Sequence, residues 1–243
     1  MKLSGKTAWI TGAGSGIGEA VALAFASEGA TVALTGRDGA KLENLAKRIG
    51  SKAFVVAGDV GARGAAEKAV AKILGETGRL DILVNNAGTN ITNRRYHDMT
   101  EEGIDQVIAT NLSGAFYCAT AALRPMRAQK DGVLIHTGSW AGRFWNMVAG
   151  GPYTAVKIAV AAMSHSINLE EHGNGIRSTV VMPAEVATPI LNTRPNPPSA
   201  EARATMLQPA DMGELYLFIA TRPRSVCLNE VVISPTDNRV FGA

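Results

Sequence analysis

The chain lacks the residues that build disulfide-stapled or metal-stapled folds. Only two cysteines, Cys118 and Cys227, occur in 243 residues, without metal-ligand spacing or a disulfide framework. The four histidines (His97, His136, His165 and His172) form no HxH or HxxxH pair, so no metal site is expected. Aromatic residues make up 5%, and no apolar run approaches the roughly 18 residues that span a bilayer. There is no strong excess of either charge. The formal net charge is +3, with Lys and Arg scattered along the chain, which argues against a nucleic-acid partner. Met1-Lys2-Leu3-Ser4-Gly5-Lys6 leads directly into a strand pattern without the apolar stretch of a signal peptide. The expectation is a cytoplasmic protein with no membrane partner.

Apolar residues, at 46%, are plentiful enough for a large core, and charged residues are 19%. The length predicts a single α/β domain over residues 1–243. Strand patterns fall at Thr7–Thr11, Thr31–Thr35, Ala53–Ala57, Ile82–Asn85, Val133–Thr137, Ile176–Met182 and Val231–Ile233. Helical patterns fall between them at Ile17–Glu28, Gly39–Ile49, Ala65–Glu76, Glu101–Gln129, Tyr153–Glu171 and Pro209–Ala220. Strands apolar on both faces, alternating with helices, imply a doubly wound parallel sheet of the Rossmann type, about seven strands covered on both faces. Pro189 to Pro209, with Pro195, Pro197 and Pro198, is long and proline-rich for a connector. It follows a strand end that should face the ligand crevice, so it is expected either as a substrate lid or as a variable surface loop.

Thr11-Gly12-Ala13-Gly14-Ser15-Gly16-Ile17-Gly18 lies between the first strand and an apolar-periodic helix. In that position Gly12 allows a tight turn, Gly16 lets main chain approach a pyrophosphate, and Gly18 lets helix and strand pack closely. The helix N-terminus adds free N–H groups and partial positive charge. Further on, Tyr153 and Lys157 are four residues apart on a predicted helix and share a face. A tyrosine working as a proton shuttle near neutral pH needs its pKa lowered by about 3 units, roughly 4 kcal/mol. One ammonium about 4 Å away in a medium of effective dielectric near 20 supplies about that much. The same spacing also suits a tyrosine packed in a helix interface with the lysine in solvent. The glycine turn upstream favours the chemical alternative.

The GxxxGxG spacing of Gly12, Gly16 and Gly18, then Asn85-Asn86-Ala87-Gly88, Asn111, Ser139 and Tyr153-Thr154-Ala155-Val156-Lys157, resembles the short-chain dehydrogenase/reductase family in its compact single-domain branch. The match runs in order along nearly the whole chain. The resemblance implies an oxidoreductase acting on a small-molecule carbonyl/alcohol pair. It gives Ser139 the substrate oxygen, Tyr153 the acid/base role, Lys157 the tyrosine pKa and the nicotinamide ribose, and Asn111 a water linking Lys157 to solvent. It places Ser15, Ile17, Asp59, Val60, Asn86, Ala87 and Gly88 along the nucleotide. Pro183, Val186 and Thr188 would hold the carboxamide, with Ala184 where the family usually has glycine. Gly36 stands where NAD-preferring members carry an acid, and Arg37 follows it, so NADP(H) is favoured and NAD(H) remains open. Asn229 to Thr236 resembles the subgroup of NADP-dependent hydroxy acid and serine dehydrogenases.

Trp140, Arg143, Phe144, Trp145, Asn146 and Met147, with Met182 and Ile190, are candidate walls of a substrate pocket or, equally, parts of a surface loop. Arg94 or Arg143 would suit a substrate carboxylate. The alanine-rich helices suggest a homotetramer, with a homodimer next. Two other functions compete. One is a 3-oxoacyl-carrier-protein reductase, if Arg94, Arg95, Arg124 and Arg127 cluster at the entrance. The other is a non-catalytic dinucleotide-sensing module, which retention of Ser139, Tyr153 and Lys157 disfavours.

Overall fold

The computed structural model describes residues 1–238. Strands β1 (Thr7–Thr11), β2 (Thr31–Thr35), β3 (Ala53–Val55), β4 (Ile82–Asn85), β5 (Gly132–Thr137), β6 (Ile176–Pro183) and β7 (Glu230–Ile233) form one sheet in the order β3-β2-β1-β4-β5-β6-β7. Every pairing in it is parallel. Parallel neighbours need crossovers, and helices provide them. They are α1 (Gly16–Ser27), α2 (Gly39–Ile49), α3 (Ala65–Thr77), α4 (Glu101–Ile108), α5 (Gly114–Gln129), α6 (Gly151–Glu171) and α8 (Pro209–Ala220), with a short α7 (Ala200–Ala204) in the connection after β6.

The two-residue repeat of β1 shows how the core is divided. Trp9 packs into one layer with residues of α3, α5 and α6. Ala8 and Ile10 point the other way, among residues of α1, α2 and α8. Within α1, Gly18, Val21, Ala22 and Phe25 face inward at helical spacing. Complete burial of Phe25 contributes roughly 1.5–3 kcal/mol. Strand order reverses between β1 and β4, so a crevice opens beyond their C-terminal ends.

Most expected element boundaries coincide with the observed ones, and the others move by one or two residues. One larger correction concerns Glu101–Gln129, which is not one regular helix. Ala109–Ser113 is wound as a π-helical turn between α4 and α5. Helical apolar periodicity cannot reveal a local widening of this kind, because the flanking faces continue. Pro189 to Pro209 is also ordered. Pro189–Thr193 forms a 3-10 turn, α7 follows, and Val186 bridges Leu207 at the base. Among the described residues no helix is long and apolar enough to cross a membrane, and no group of His, Cys, Asp or Glu could hold a metal ion.

Candidate active site

A single cleft of about 440 Å³ runs along the crevice from Arg37 to Arg194. Its size suits a bound small molecule. At one end is the turn after β1. Gly18 has no room for a side chain: a Cβ there would overlap the Gly12 carbonyl and lie 2.8 Å from Asn86 Nδ2. Gly16 adopts φ +58°, and a Cβ would lie 2.9 Å from Thr188 Cγ2. Its lack of a side chain therefore serves contact with Thr188 as well as any approach to phosphate. Ser15 caps α1 in extended conformation without using its side chain. The first-turn N–H groups thus face the cleft with no capping oxygen, a cradle of the kind that takes a phosphate.

The end of β4 is tied down by side chains. Thr11 Oγ1 accepts from Asn86 N (2.9 Å) and Ala87 N (3.0 Å), and Asn86 Nδ2 donates to Thr11 O (3.1 Å). Asn86 Oδ1 accepts from Thr137 Oγ1 (3.0 Å). That uses the Thr137 proton, so the 2.7 Å contact between Thr137 Oγ1 and Tyr216 has the phenol as donor. Thr137 O in turn accepts from Lys157 Nζ (2.6 Å). One residue at the end of β5 therefore links Lys157, Asn86 and Tyr216.

Ser139 caps a 3-10 turn, accepting from Ala141 N (3.2 Å). Tyr153 is half-buried on the cleft wall. Burial pushes its pKa above the usual phenol value, against the lowering influence of the Ser139 hydrogen bond and the charges of Arg194 and Arg94. Lys157, expected to lower it, is not among these influences. The Lys157 ammonium lies 5.5 Å from the Tyr153 ring centroid and is held by Thr137 O. Desolvation lowers the Lys157 pKa to about 8. The adjacent His136 is fully buried and kept neutral, its pKa pushed down to about 3 by burial and then by Lys157.

Of the expected site residues, Gly12, Ser15, Gly16, Ile17, Arg37, Asp59, Val60, Asn86, Ala87, Gly88, Ser139, Tyr153, Lys157, Pro183, Val186 and Thr188 all line this cleft. Gly18 lies buried behind the turn. Asn111, in the π-helical turn, is buried too, and its amide is committed to Thr89: Oδ1 accepts from Thr89 N (2.7 Å) and Nδ2 donates to Thr89 O (2.8 Å). Ala184 brings no backbone strain, since Lys130 is the only non-glycine residue with positive φ among the described residues.

The expected aromatic wall is only partly present. Trp140, Asn146 and Ile190 line the cleft, whereas Trp145 (82% exposed) and Met147 (72%) face outward and Met182 is in the core. Arg143 pairs with Glu230 (2.9 Å). The sequence reading missed Lys41, Asn90, Thr137, Glu185 and Arg194, all on the cleft wall. Lys41 lies beside Arg37 and pairs with Asp38 (3.6 Å), which also caps α2.

The family model described as short chain dehydrogenase matches residues 6–198. An uncharacterized oxidoreductase of Staphylococcus aureus strain MRSA252 is 34% identical over 96% of this chain and 98% of its own. Among solved structures, the closed form of a serine dehydrogenase complexed with NADP+ is 31% identical, with TM-score 0.89 and 96% of each chain covered. A 3-ketoacyl-(acyl-carrier-protein) reductase from Brucella melitensis complexed with NADH is 29% identical, with TM-score 0.88, covering 96% of this chain and 98% of its own.

Proposed function

The chain belongs to the short-chain dehydrogenase family, and we propose that it moves hydride between NADP(H), in preference to NAD(H), and a small to medium ketone/secondary alcohol or hydroxy acid. The observation that carries this proposal is convergence: Ser139, Tyr153 and Lys157 share one cleft with the glycine turn and the N-terminus of α1. The nucleotide, when bound, supplies or accepts the hydride at its nicotinamide ring and adds positive charge when oxidised.

The chain's own residues then have separable tasks. The N-terminus of α1 and the turn at Gly12 to Gly16 bind phosphate. Arg37 and Lys41 pair with a 2′-phosphate, and this pairing supports the preference for NADP(H). Asp59 stands at the adenine side. Pro183, Val186 and Thr188 wall the nicotinamide side, and Thr188 also braces Gly16. Ser139 holds the substrate oxygen by hydrogen bond beside the Tyr153 hydroxyl. Tyr153 donates its proton when a carbonyl is reduced and accepts one when an alcohol is oxidised. Lys157, oriented by Thr137, brings its ammonium to the ribose and to the tyrosine. Asn111 is a positioning residue: it fixes Thr89 next to Gly88, where an added Cβ would lie 3.4 Å from Asn111 Oδ1 and 3.8 Å from Lys157 Nζ. Pro189 to Pro209 serves as the substrate lid.

Two of the four arginines that the carrier-protein alternative would use at its entrance are committed elsewhere. Arg94 is buried, and Arg127 is tied to Glu171 at the end of α6. Exposed Phe116, Ile158 and Leu169 on α5 and α6 support assembly into a homotetramer or homodimer. The test is a panel of ketones and alcohols assayed with each nucleotide, together with Tyr153→Phe. That variant is expected to lose turnover by roughly 10²–10⁴-fold, the worth of a positioned acid/base, while nucleotide affinity stays unchanged. Retained turnover rules out the mechanism.

A further inference from the structure

The end of the cleft beyond Tyr153 carries a charge imbalance that the hydride-transfer chemistry does not use. Arg94 is 5% exposed. Its Nη1 donates to Val148 O (2.9 Å) and its Nη2 to Thr193 O (2.7 Å). Its Nε is buried without a hydrogen-bond partner. The charged groups acting on it are Arg194, Tyr153 and Arg95, and no carboxylate pairs with it among the described residues. A guanidinium keeps its charge, so Arg94 is a buried cation solvated by two carbonyls and, more weakly, by the Thr193 hydroxyl (3.4 Å), all of them neutral. Such burial is costly unless something else requires the charge. Arg194, on the same wall, does have an acid: Glu185 lies 2.6 Å away. Among the described residues, two cations and one carboxylate leave this wall with one positive charge in excess. Arg94, Glu185, Arg194 and Thr193 line the same cleft as Tyr153.

We propose that this excess selects a substrate bearing a carboxylate, a hydroxy acid or oxo acid, with Arg194 making contact and Arg94 supplying the uncompensated charge behind it. The proposal rests on the hydride-transfer reading and narrows its substrate class. In the oxidising direction the hydroxyl-bearing carbon gives hydride to the oxidised nicotinamide and its oxygen gives a proton to Tyr153. The carboxylate is unchanged and serves as the handle. Held there, the anion would meet the excess charge in a part-buried wall, where a hydrogen bond to a charged group contributes roughly tenfold to a hundredfold in affinity. The competing account makes Arg94 only a clasp between the segments that follow β4, β5 and β6. Charge and clasp are separable, because lysine keeps the first and loses the second.

The test compares 2- and 3-hydroxybutyrate with their uncharged amides as substrates, in wild type, Arg94→Gln, Arg94→Lys and Arg194→Gln. Calorimetry of butyrate and butyramide binding to the nucleotide-saturated protein gives a readout independent of turnover. Wild type is expected to favour at least one acid over its amide by about tenfold or more in kcat/KM, and to bind butyrate but not butyramide. Both glutamine variants should lose most of that preference, and Arg94→Lys should keep it. Equal use of acid and amide by wild type overturns the proposal. So does a preference that survives both glutamine variants, or a parallel loss for acid and amide in both Arg94 variants. In those cases Tyr153-dependent turnover of the amides leaves the hydride-transfer reading standing. Selective butyrate binding with no turnover of any alcohol or ketone does the reverse, supporting the anion site and removing the hydride-transfer reading.

Discussion

The two ends of the cleft are built differently. At the glycine-turn end, main chain does the work: Gly12, Gly16 and Gly18 shape the surface, and the N–H groups of α1 face the cleft. At the arginine end, side chains hold loops together. Arg94 spans to Val148 and Thr193, Asn90 Nδ2 donates to Ala149 O (2.9 Å), and Arg203 Nη2 donates to Asn192 Oδ1 (2.6 Å). A main-chain surface tolerates few substitutions because backbone cannot be replaced. A surface clasped by side chains can be rebuilt by changing the clasps, which suits the end that must discriminate among substrates.

Substitutions at each end put this contrast to the test. The Tyr153→Phe loss described above is the largest expected effect, and it lies where the two ends meet. Lys157→Met comes next. The native Lys157 pKa, near 8, lies below its unfolded value of 10.5, so the unfolded chain binds more protons between those limits. Relative to Lys157→Met, wild-type stability should therefore gain up to about 3 kcal/mol as pH climbs from about 8 to 10.5. Urea unfolding of both proteins across that range gives the difference, in which the buried thiols and phenols common to both cancel. Equal slopes would mean that Lys157 is not a desolvated ammonium.

Gly18→Ala should cost about 1–3 kcal/mol in the same assay and weaken nucleotide binding, because the added methyl must displace both the Gly12 carbonyl and Asn86 Nδ2. Arg37→Ala should weaken NADP+ binding about tenfold and leave NAD+ binding unaltered, the scale of one exposed charge-assisted bond. Fluorescence titration with each nucleotide checks it; equal losses would place Arg37 outside 2′-phosphate recognition. The smallest effect belongs to Asn192→Ala. Removing this exposed partner of Arg203 should change stability by less than about 0.5 kcal/mol. Hydrogen exchange should nevertheless accelerate over 189–204 if the clasps hold that segment.

The same contrast explains what was legible in the sequence. The parallel sheet and the glycine turn were readable because each rests on local spacing: apolar runs between helical periods, and glycines between a strand and a helix. Tyr153 and Lys157 shared a face by one helical turn, and the glycine turn upstream, with the family resemblance, gave that spacing its meaning. Lys41 was missed because its place beside Arg37 depends on how the first turn of α2 folds back, with Asp38 as its cap. Asn90 and Arg194 sit in irregular segments whose paths are set by long-range hydrogen bonds, and no periodicity marks them. For Trp145 and Met147 two places were equally open, and they take the surface-loop one. Proximity in sequence to Ser139 suggested a pocket wall, but the turn capped by Ser139 directs the chain outward after Trp140, whose ring stacks on Phe144 (4.4 Å between centroids).

The π-helical turn at Ala109–Ser113 has a consequence for insertions and deletions in this part of the chain. A π turn winds one more residue than α-helix into about the same rotation. Were the same sequence to settle into uninterrupted α-helix, every later position would swing by about 100° around the axis, and Ala115, Cys118, Ala119 and Ala122 would rotate away from the sheet. A frame-preserving single-codon deletion inside the turn removes the surplus residue and keeps that rotational phase, so it should spare the hydrophobic interior and damage the crevice alone, where Asn111 faces Thr89.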